Sequence, residues 1–280
     1  MKRHIAGRNL WIDLKKTICK EEKEMRVIVI VNLKGGVGKT TTAEAMAHEL
    51  SRKYKKQTLL IDNDKQGDLS KVFGLYSEMG TAPVAKLLSR KETDILKLEK
   101  PTKYNGIHII PSNMSLMEET LYLSTAEVSE QLSRYKAILT RAGYLYDYVI
   151  IDNPPDIAIN VINALAIADD VIIPIKIDNR SIRGMEILTE QIEIAKHINP
   201  KINLIGILLT MYKKNDANIA GEGWLREKGY NLFKTKIRNS EKVSESTFFN
   251  QSIQEYSFRS AAAVDYRRLV KEYLEKTGGI

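Results

Sequence analysis

Residues 26–46 read RVIVIVNLKGGVGKTTTAEAM, and this stretch limits the fold more than any other. Val27 to Val31 is an unbroken β-branched run. Such a run marks a strand covered on both faces, since a half-exposed strand would alternate apolar with polar residues. Gly35, Gly36 and Gly38 follow closely and free the backbone from the limits a Cβ imposes. From Lys39 onward the residues favour a helix. A doubly covered strand, a glycine loop and a helix in that order call for a parallel sheet with helices on both sides. They also set a helix N-terminus, with its free N–H groups, against the loop, and that is a cradle for an anion.

The rest of the chain repeats the alternation. Apolar runs at 26–32, 58–62, 107–110, 148–152, 171–175, 204–210 and 232–237 predict strands. Amphipathic stretches at 40–51, 83–88, 115–123, 128–143, 157–168, 181–197 and 261–276 predict helices. The expected architecture is a three-layer α/β domain over residues 25–280, with a mostly parallel, twisted sheet and helices on both faces. A short basic extension, residues 1–24, precedes it. Leu10, Ile12, Leu14 and Ile18 give that extension some helical character, and a tail, a dimer contact or a DNA-touching arm all remain open for it.

The apolar runs are far too short to span a bilayer, and residues 1–24 lack the apolar centre of a secretory signal. The single cysteine, Cys19, cannot build an internal disulfide or a thiolate metal site. A cytoplasmic protein with no membrane partner is the expectation. Net charge is +8, but residues 25–200 are balanced at 22 basic against 22 acidic. The last 80 residues hold 14 Lys/Arg against 9 Asp/Glu, which suits either a polyanion-binding surface or a solvated basic face.

Three sites carry chemistry. The loop nearly fits G-x-x-x-x-G-K-[ST], with Leu33 in place of the first glycine and a second lysine, Lys34, beside it. In that pattern the backbone of Gly35, Gly36, Val37 and Gly38 surrounds phosphate oxygens, Lys39 reaches the β- and γ-phosphates, Thr40 ligates Mg²⁺ and Thr41 meets an α-phosphate. In LLIDNDKQGDLS, Asp62 and Asp64 stand at the carboxyl end of a strand, the edge where open α/β sheets bind ligands. They either position water and the metal's water shell or cap a helix starting near Lys65. In YDYVIIDNPPD, Asp152 ends a strand ahead of the rigid Pro154-Pro155 turn, as a metal-holding carboxylate or as a plain turn residue.

Together, KGGVGKTTT, LLIDNDKQGDLS and YDYVIIDNPPD resemble the deviant Walker A ATPases of the ParA/MinD group, in the SIMIBI class of P-loop NTPases. The likeness continues through DDVIIPIKIDNRSIRGMEIL, GILLTMY and FKTKIRNSEKVSESTFFNQSIQEY, and the order and wording are most similar to ParA-type, Soj-like partition proteins. The resemblance implies ATP and Mg²⁺ as cofactors, slow hydrolysis, an ATP-dependent homodimer, non-specific double-stranded DNA and a ParB-like centromere-binding partner, in the cytoplasm on the nucleoid. It implies that Lys34 crosses to the partner subunit's phosphates, Lys39 is the phosphate lysine, Thr40 the Mg²⁺ ligand and Asp64 the residue that orients water. Asp62 and Asp152 match carboxylates around the metal, and Thr210 falls where the family meets adenine. Lys213, Lys214, Lys236, Arg238, Lys242 and Arg259 become the DNA-contact candidates.

Three positions depart from the family's wording: Lys65 replaces a common Pro, 237–239 lacks the Pro of I-P-R-N, and Asn153 stands where Thr, Ser or Cys is usual. The alternative is a MinD-like positioning scaffold on a membrane or protein surface. The final stretch, with Val264, Leu269, Val270, Tyr273 and Leu274 on one side, reads instead as a helix packed in the core.

Overall fold

The computed structural model describes residues 25–132 and 134–280; the extension 1–24 lies outside the described residues. Seven strands form one sheet: β1 (Arg26–Ile30), β2 (Thr58–Asp62), β3 (Lys100–Pro101), β4 (Ile107–Ile110), β5 (Tyr148–Asp152), β6 (Asp170–Ile175) and β7 (Asn203–Leu209), in the order β3-β4-β2-β5-β1-β6-β7. Every pairing is parallel except β3 with β4.

Alternate residues of each strand feed two separate cores. Val27, Val29, Leu59, Ile61, Val149 and Ile151 face one side, where the helices Pro83–Leu88, Ser115–Ser124, Ile159–Leu165 and Asn179–Ala195 cover them. Ile28, Ile30, Leu60, Ile150 and Ile172 face the other side, beneath the helices Lys39–Arg52 and Ala261–Thr277. These side chains are 0–2% exposed, which explains why the strands carry no polar alternation. Each fully buried Ile, Leu or Val contributes roughly 1.5–3 kcal/mol. The last helix spends Leu269, Val270, Tyr273 and Leu274 in this core and ends on Gly278, in the left-handed region at φ 70°.

The register places the chemistry. Asp62 lies opposite Asp152 across β2 and β5, and Ile30, the last residue of β1, lies opposite Asp152 on its other side. Three strand ends that carry the loop and both carboxylates are therefore adjacent at the carboxyl edge of the sheet.

The structure differs from the expected elements in two places. Residues 232–237 form no strand and make only isolated bridges, Leu232 to Ile207 and Arg238 to Tyr212. Between those anchors the Glu272 carboxylate takes the N–H groups of Lys234 and Thr235, so a side chain occupies donors that a ladder would need. The expected helix 128–143 is two helices, Val128–Gln131 and Lys136–Leu145. The break holds Tyr135, fully buried, and Arg134, whose N–H goes to Asn163 Oδ1 instead of a helical carbonyl. The helices Asp68–Val72, Asp216–Glu227 and Glu241–Phe248 were not expected from periodicity.

Candidate functional site

The loop between β1 and the helix Lys39–Arg52 depends on its glycines. Gly36 and Gly38 have φ of 69° and 86°, a region L side chains rarely occupy. Gly38 is also the N-cap of the helix and supplies no side-chain cap, so the first N–H groups stay open toward the cleft. Thr210 Oγ1 donates to Val37 O at 2.8 Å and holds the loop from the β7 side.

Lys39 is 7% exposed and its Nζ donates to Lys34 O at 3.1 Å. Burial draws its pKa below the ordinary lysine value, against the pull of Asp152, Asp64 and Asp156. Thr40 Oγ1 donates to Asp152 Oδ2 at 2.6 Å, while Asp152 Oδ1 is buried without a partner. Burial, with the nearby Asp62 carboxylate, pushes the Asp152 carboxyl well above the usual carboxylate range. A threonine hydroxyl beside an unpartnered carboxylate oxygen is a hard-oxygen donor pair that fits Mg²⁺ or its water shell. Among the described residues no cluster of three or more His, Cys, Asp or Glu could hold a metal by itself.

Asp64 projects into the cleft, with Oδ1 accepting Gln66 N–H at 2.9 Å. Burial raises its pKa. The cleft, of about 890 Å³, is lined by Gly35, Gly36, Gly38 to Thr41, Asp64, Pro154, Pro155, Asp156 and, at its far end, Met211 and residues 237–240. The helix-cap alternative holds in part for Asp62: the next helix, Asp68–Val72, has Gly67 at its N-cap position with no side chain to offer, and Asp62 Oδ2 accepts the first-turn N–H of Ser70 at 2.8 Å. Gly67, at φ 66°, cannot be replaced easily: a Cβ there would lie 2.5 Å from the Tyr76 ring.

Two of the expected site residues are also held by partners within the protein. Asp62 is fully buried and does not line the cleft; Oδ2 accepts Ser70 N–H at 2.8 Å and Ser70 Oγ at 2.6 Å, and Oδ1 accepts Asp64 N–H at 3.2 Å. Its oxygens brace the Asp64 loop and the helix Asp68–Val72 from behind Asp152, off the cleft wall. Burial pushes its pKa up to about 7. Thr210 lines the cleft, and its hydroxyl donates to Val37 O at 2.8 Å and lies 3.0 Å from Ile175 O, so it also supports the loop.

Lys34 does not line its own cleft. Its N–H goes to Asn32 Oδ1, and its Nζ reaches Asp178 Oδ2 at 2.6 Å. Asp178 is at the same time the N-cap of the helix Asn179–Ala195, accepting Ser181 N–H through Oδ1. Sequence reading missed Asp178; an Asp three residues before a Ser at a helix start was the available signal. It also missed Ser70 and Gln66, for which periodicity carries no signal.

The basic candidates divide. Lys213, Lys214, Lys236 and Arg238 line a second hollow of about 800 Å³ together with Lys234 and Arg268. Within it Lys236 pairs with Glu222 and Arg238 makes a two-pronged pair with Asp265, at 2.7 and 2.9 Å. Lys242 pairs with Glu245 on a separate helix, and Arg259 is exposed outside this hollow.

A left-handed glycine loop opening a helix, a buried lysine over it, and carboxylates on the two neighbouring strand ends define a P-loop nucleotide-binding α/β protein. Residues 25–204 match the family described as AAA domain. The chain is 32% identical over 255 residues to the chromosome partitioning protein ParA of Myxococcus xanthus, covering 90% of this chain and 88% of that one. It is equally 32% identical over 256 residues to the chromosome-partitioning ATPase Soj of Thermus thermophilus, covering 90% and 97%. It belongs to the ParA/Soj family of P-loop ATPases. Its fold is that of apo McdA from Cyanothece, with a TM-score of 0.79 at 22% identity over 90% of this chain and 100% of the other. The same fold appears in cobyrinic acid a,c-diamide synthase of Mycobacterium smegmatis with an ATP analogue and magnesium, at TM-score 0.76 and 24% identity over 91% and 97%.

Proposed function

We propose that this protein is a DNA-partition ATPase: it binds ATP with Mg²⁺, closes into a homodimer, holds double-stranded DNA without sequence preference, and is released when a ParB-like partner stimulates slow hydrolysis. The observation that carries the reading is the placement of Lys34. A lysine serving its own phosphates would line its own cleft, yet Lys34 stands outside it, tied to Asp178. That position suits a group that completes the site of a second copy.

Within one subunit, the open N–H groups of the loop and Lys39 neutralise the phosphates. Thr40 and Asp152 Oδ1 would hold Mg²⁺, which draws charge from the β- and γ-phosphate oxygens when bound. Asp64 accepts a hydrogen bond from the attacking water and aligns it with the γ-phosphorus. The water's oxygen bonds to phosphorus as the bridge to ADP breaks, and the water's proton leaves with inorganic phosphate. Lys213 and Lys214, exposed beside the second hollow, are the first candidates for DNA phosphates. Residue 1–24 contributions lie outside the described structure, and no helix among the described residues is long and apolar enough to cross a membrane.

The test is binding to random-sequence duplex DNA across a salt series, with ATP and with ADP. Binding that needs ATP and falls steeply with salt supports partition activity. ATP-loaded protein that ignores DNA at low salt and binds anionic vesicles instead would remove it in favour of a MinD-like scaffold.

A further inference from the structure

The chemistry-bearing ends of β1, β2 and β5 are joined by buried side-chain amides that the roles above leave unused. Asn63 sits between Asp62 and Asp64, and Asn153 directly follows Asp152. Asn63 Nδ2 donates to Asn153 Oδ1 at 2.7 Å, and Asn153 Nδ2 donates onward to Ile30 O at 3.1 Å. Tyr135 OH donates to Asn63 Oδ1 at 2.6 Å, and Asn160 Nδ2 donates to Asn63 O at 2.8 Å. Asn63 and Tyr135 are 0% exposed, Asn153 1% and Asn160 3%.

This cluster lies against one of the two apolar cores, to which Tyr135 itself belongs. Buried amides are tolerated only when satisfied, and a satisfied network fixes one geometry where apolar packing permits several. What it fixes here is specific. The sheet pairing ends at Ile30, Asp62 and Asp152, and backbone cross-links become few just past those ends. Asn63 N–H still reaches Asp152 O at 2.8 Å, and the amides extend the cross-links one residue beyond the ladder. The peptide joining Asn63 to Asp64 is thus tied to the stem of the phosphate loop through Asn153, and to the outer helical layer through Tyr135.

We infer that Asn63, Asn153 and Tyr135 are positioning residues for hydrolysis, holding Asp64 in line with the γ-phosphate. The inference rests on the ATPase reading above. None of the three lines the cleft, so they act through Asp64 and not on the nucleotide.

Tyr135→Phe removes only the hydroxyl and keeps the ring, leaving Asn63 Oδ1 with only the long 3.3 Å contact from Asn160. Because misplacing a reacting group by a fraction of an ångström is enough, kcat should fall about tenfold. The Kd for a non-hydrolysable ATP analogue should stay within about twofold, since the phosphate loop is untouched. Asn153→Ser cuts the bridge from the opposite side and should give the same split; it serves alone if Tyr135→Phe does not fold. In an Asp64→Ala background either substitution should leave the residual single-turnover rate unchanged, because the group being positioned is gone. Unchanged kcat in folded variants, a parallel loss of nucleotide affinity, or a full additional loss in the Asp64→Ala background would each overturn the inference. A wild-type protein that hydrolyses no ATP would instead strike the ATPase reading itself.

Discussion

Replacing Asp178 with serine removes a carboxylate and keeps a helix cap. In the wild type the carboxylate has two duties, an ion pair with Lys34 Nζ at 2.6 Å and the cap to Ser181 N–H at 2.9 Å. Serine is about as good an N-cap as aspartate, so the helix Asn179–Ala195 should be nearly indifferent to the change. Only the ion pair is lost. Both side chains are 32% exposed, so solvent screens most of the Coulomb attraction and the pair is worth about 1 kcal/mol. In the proposed two-fold dimer each Lys34 would leave Asp178 to reach the partner's phosphates, so two ion pairs would be given up. The variant should therefore gain about 2 kcal/mol in ATP-dependent dimerisation, roughly a 30-fold lower dissociation constant. Sedimentation or light scattering reads this directly, with a non-hydrolysable ATP analogue keeping the nucleotide intact during the measurement. Dimerisation that is unchanged or weaker would show that Lys34 is not restrained by Asp178, and the reasoning from its placement would fail.

Other perturbations test other parts. Asp64→Ala should retain ATP binding and dimerisation and lose hydrolysis by about 100-fold or more, and rapid turnover by it would refute the water-orienting role. His48 is buried between Phe73 and Tyr104, and burial pulls its pKa down to about 4, so the folded protein refuses a proton that the unfolded chain accepts near pH 6.5. Stability should fall as pH drops through 6.5, by about 2 kcal/mol from this group between pH 7 and 5, and level off below about 4. Urea melts of wild type and His48→Phe at the two pH values should show that loss only in the wild type. Gly206→Ala puts a Cβ 2.8 Å from the fully buried Phe233 ring, and overpacking there should destabilise by about 1–3 kcal/mol in the same melts.

Much of the fold was legible because each strand carries its own signature. The apolar runs at β1, β2, β5 and β6 read as doubly covered strands, and they are. The phosphate loop was equally clear, since glycine, lysine and threonine at fixed spacing report a local backbone shape. Residues 232–237 misled because their periodicity is strand-like, while the donors that would pair them belong to Glu272 in the last helix. Asp62 was only partly legible. Its position at a strand end matches a carboxylate near a metal, and only the fold shows that Ser70, in the short helix that follows, takes its Oδ2.

Sequence alone determined the layered α/β class, the loop at the end of β1, and the pair of strands that bring carboxylates to it, because these follow from periodicity and spacing within short windows. Tertiary structure alone decided which groups face the cleft and which stand behind it. Lys34 and Asp178 are 144 residues apart, and Asn63 and Asn153 are 90. Those pairs meet because β1 lies between β5 and β6 and β5 lies between β1 and β2. Strand order is a property of the whole packed sheet, and no local window of residues encodes it.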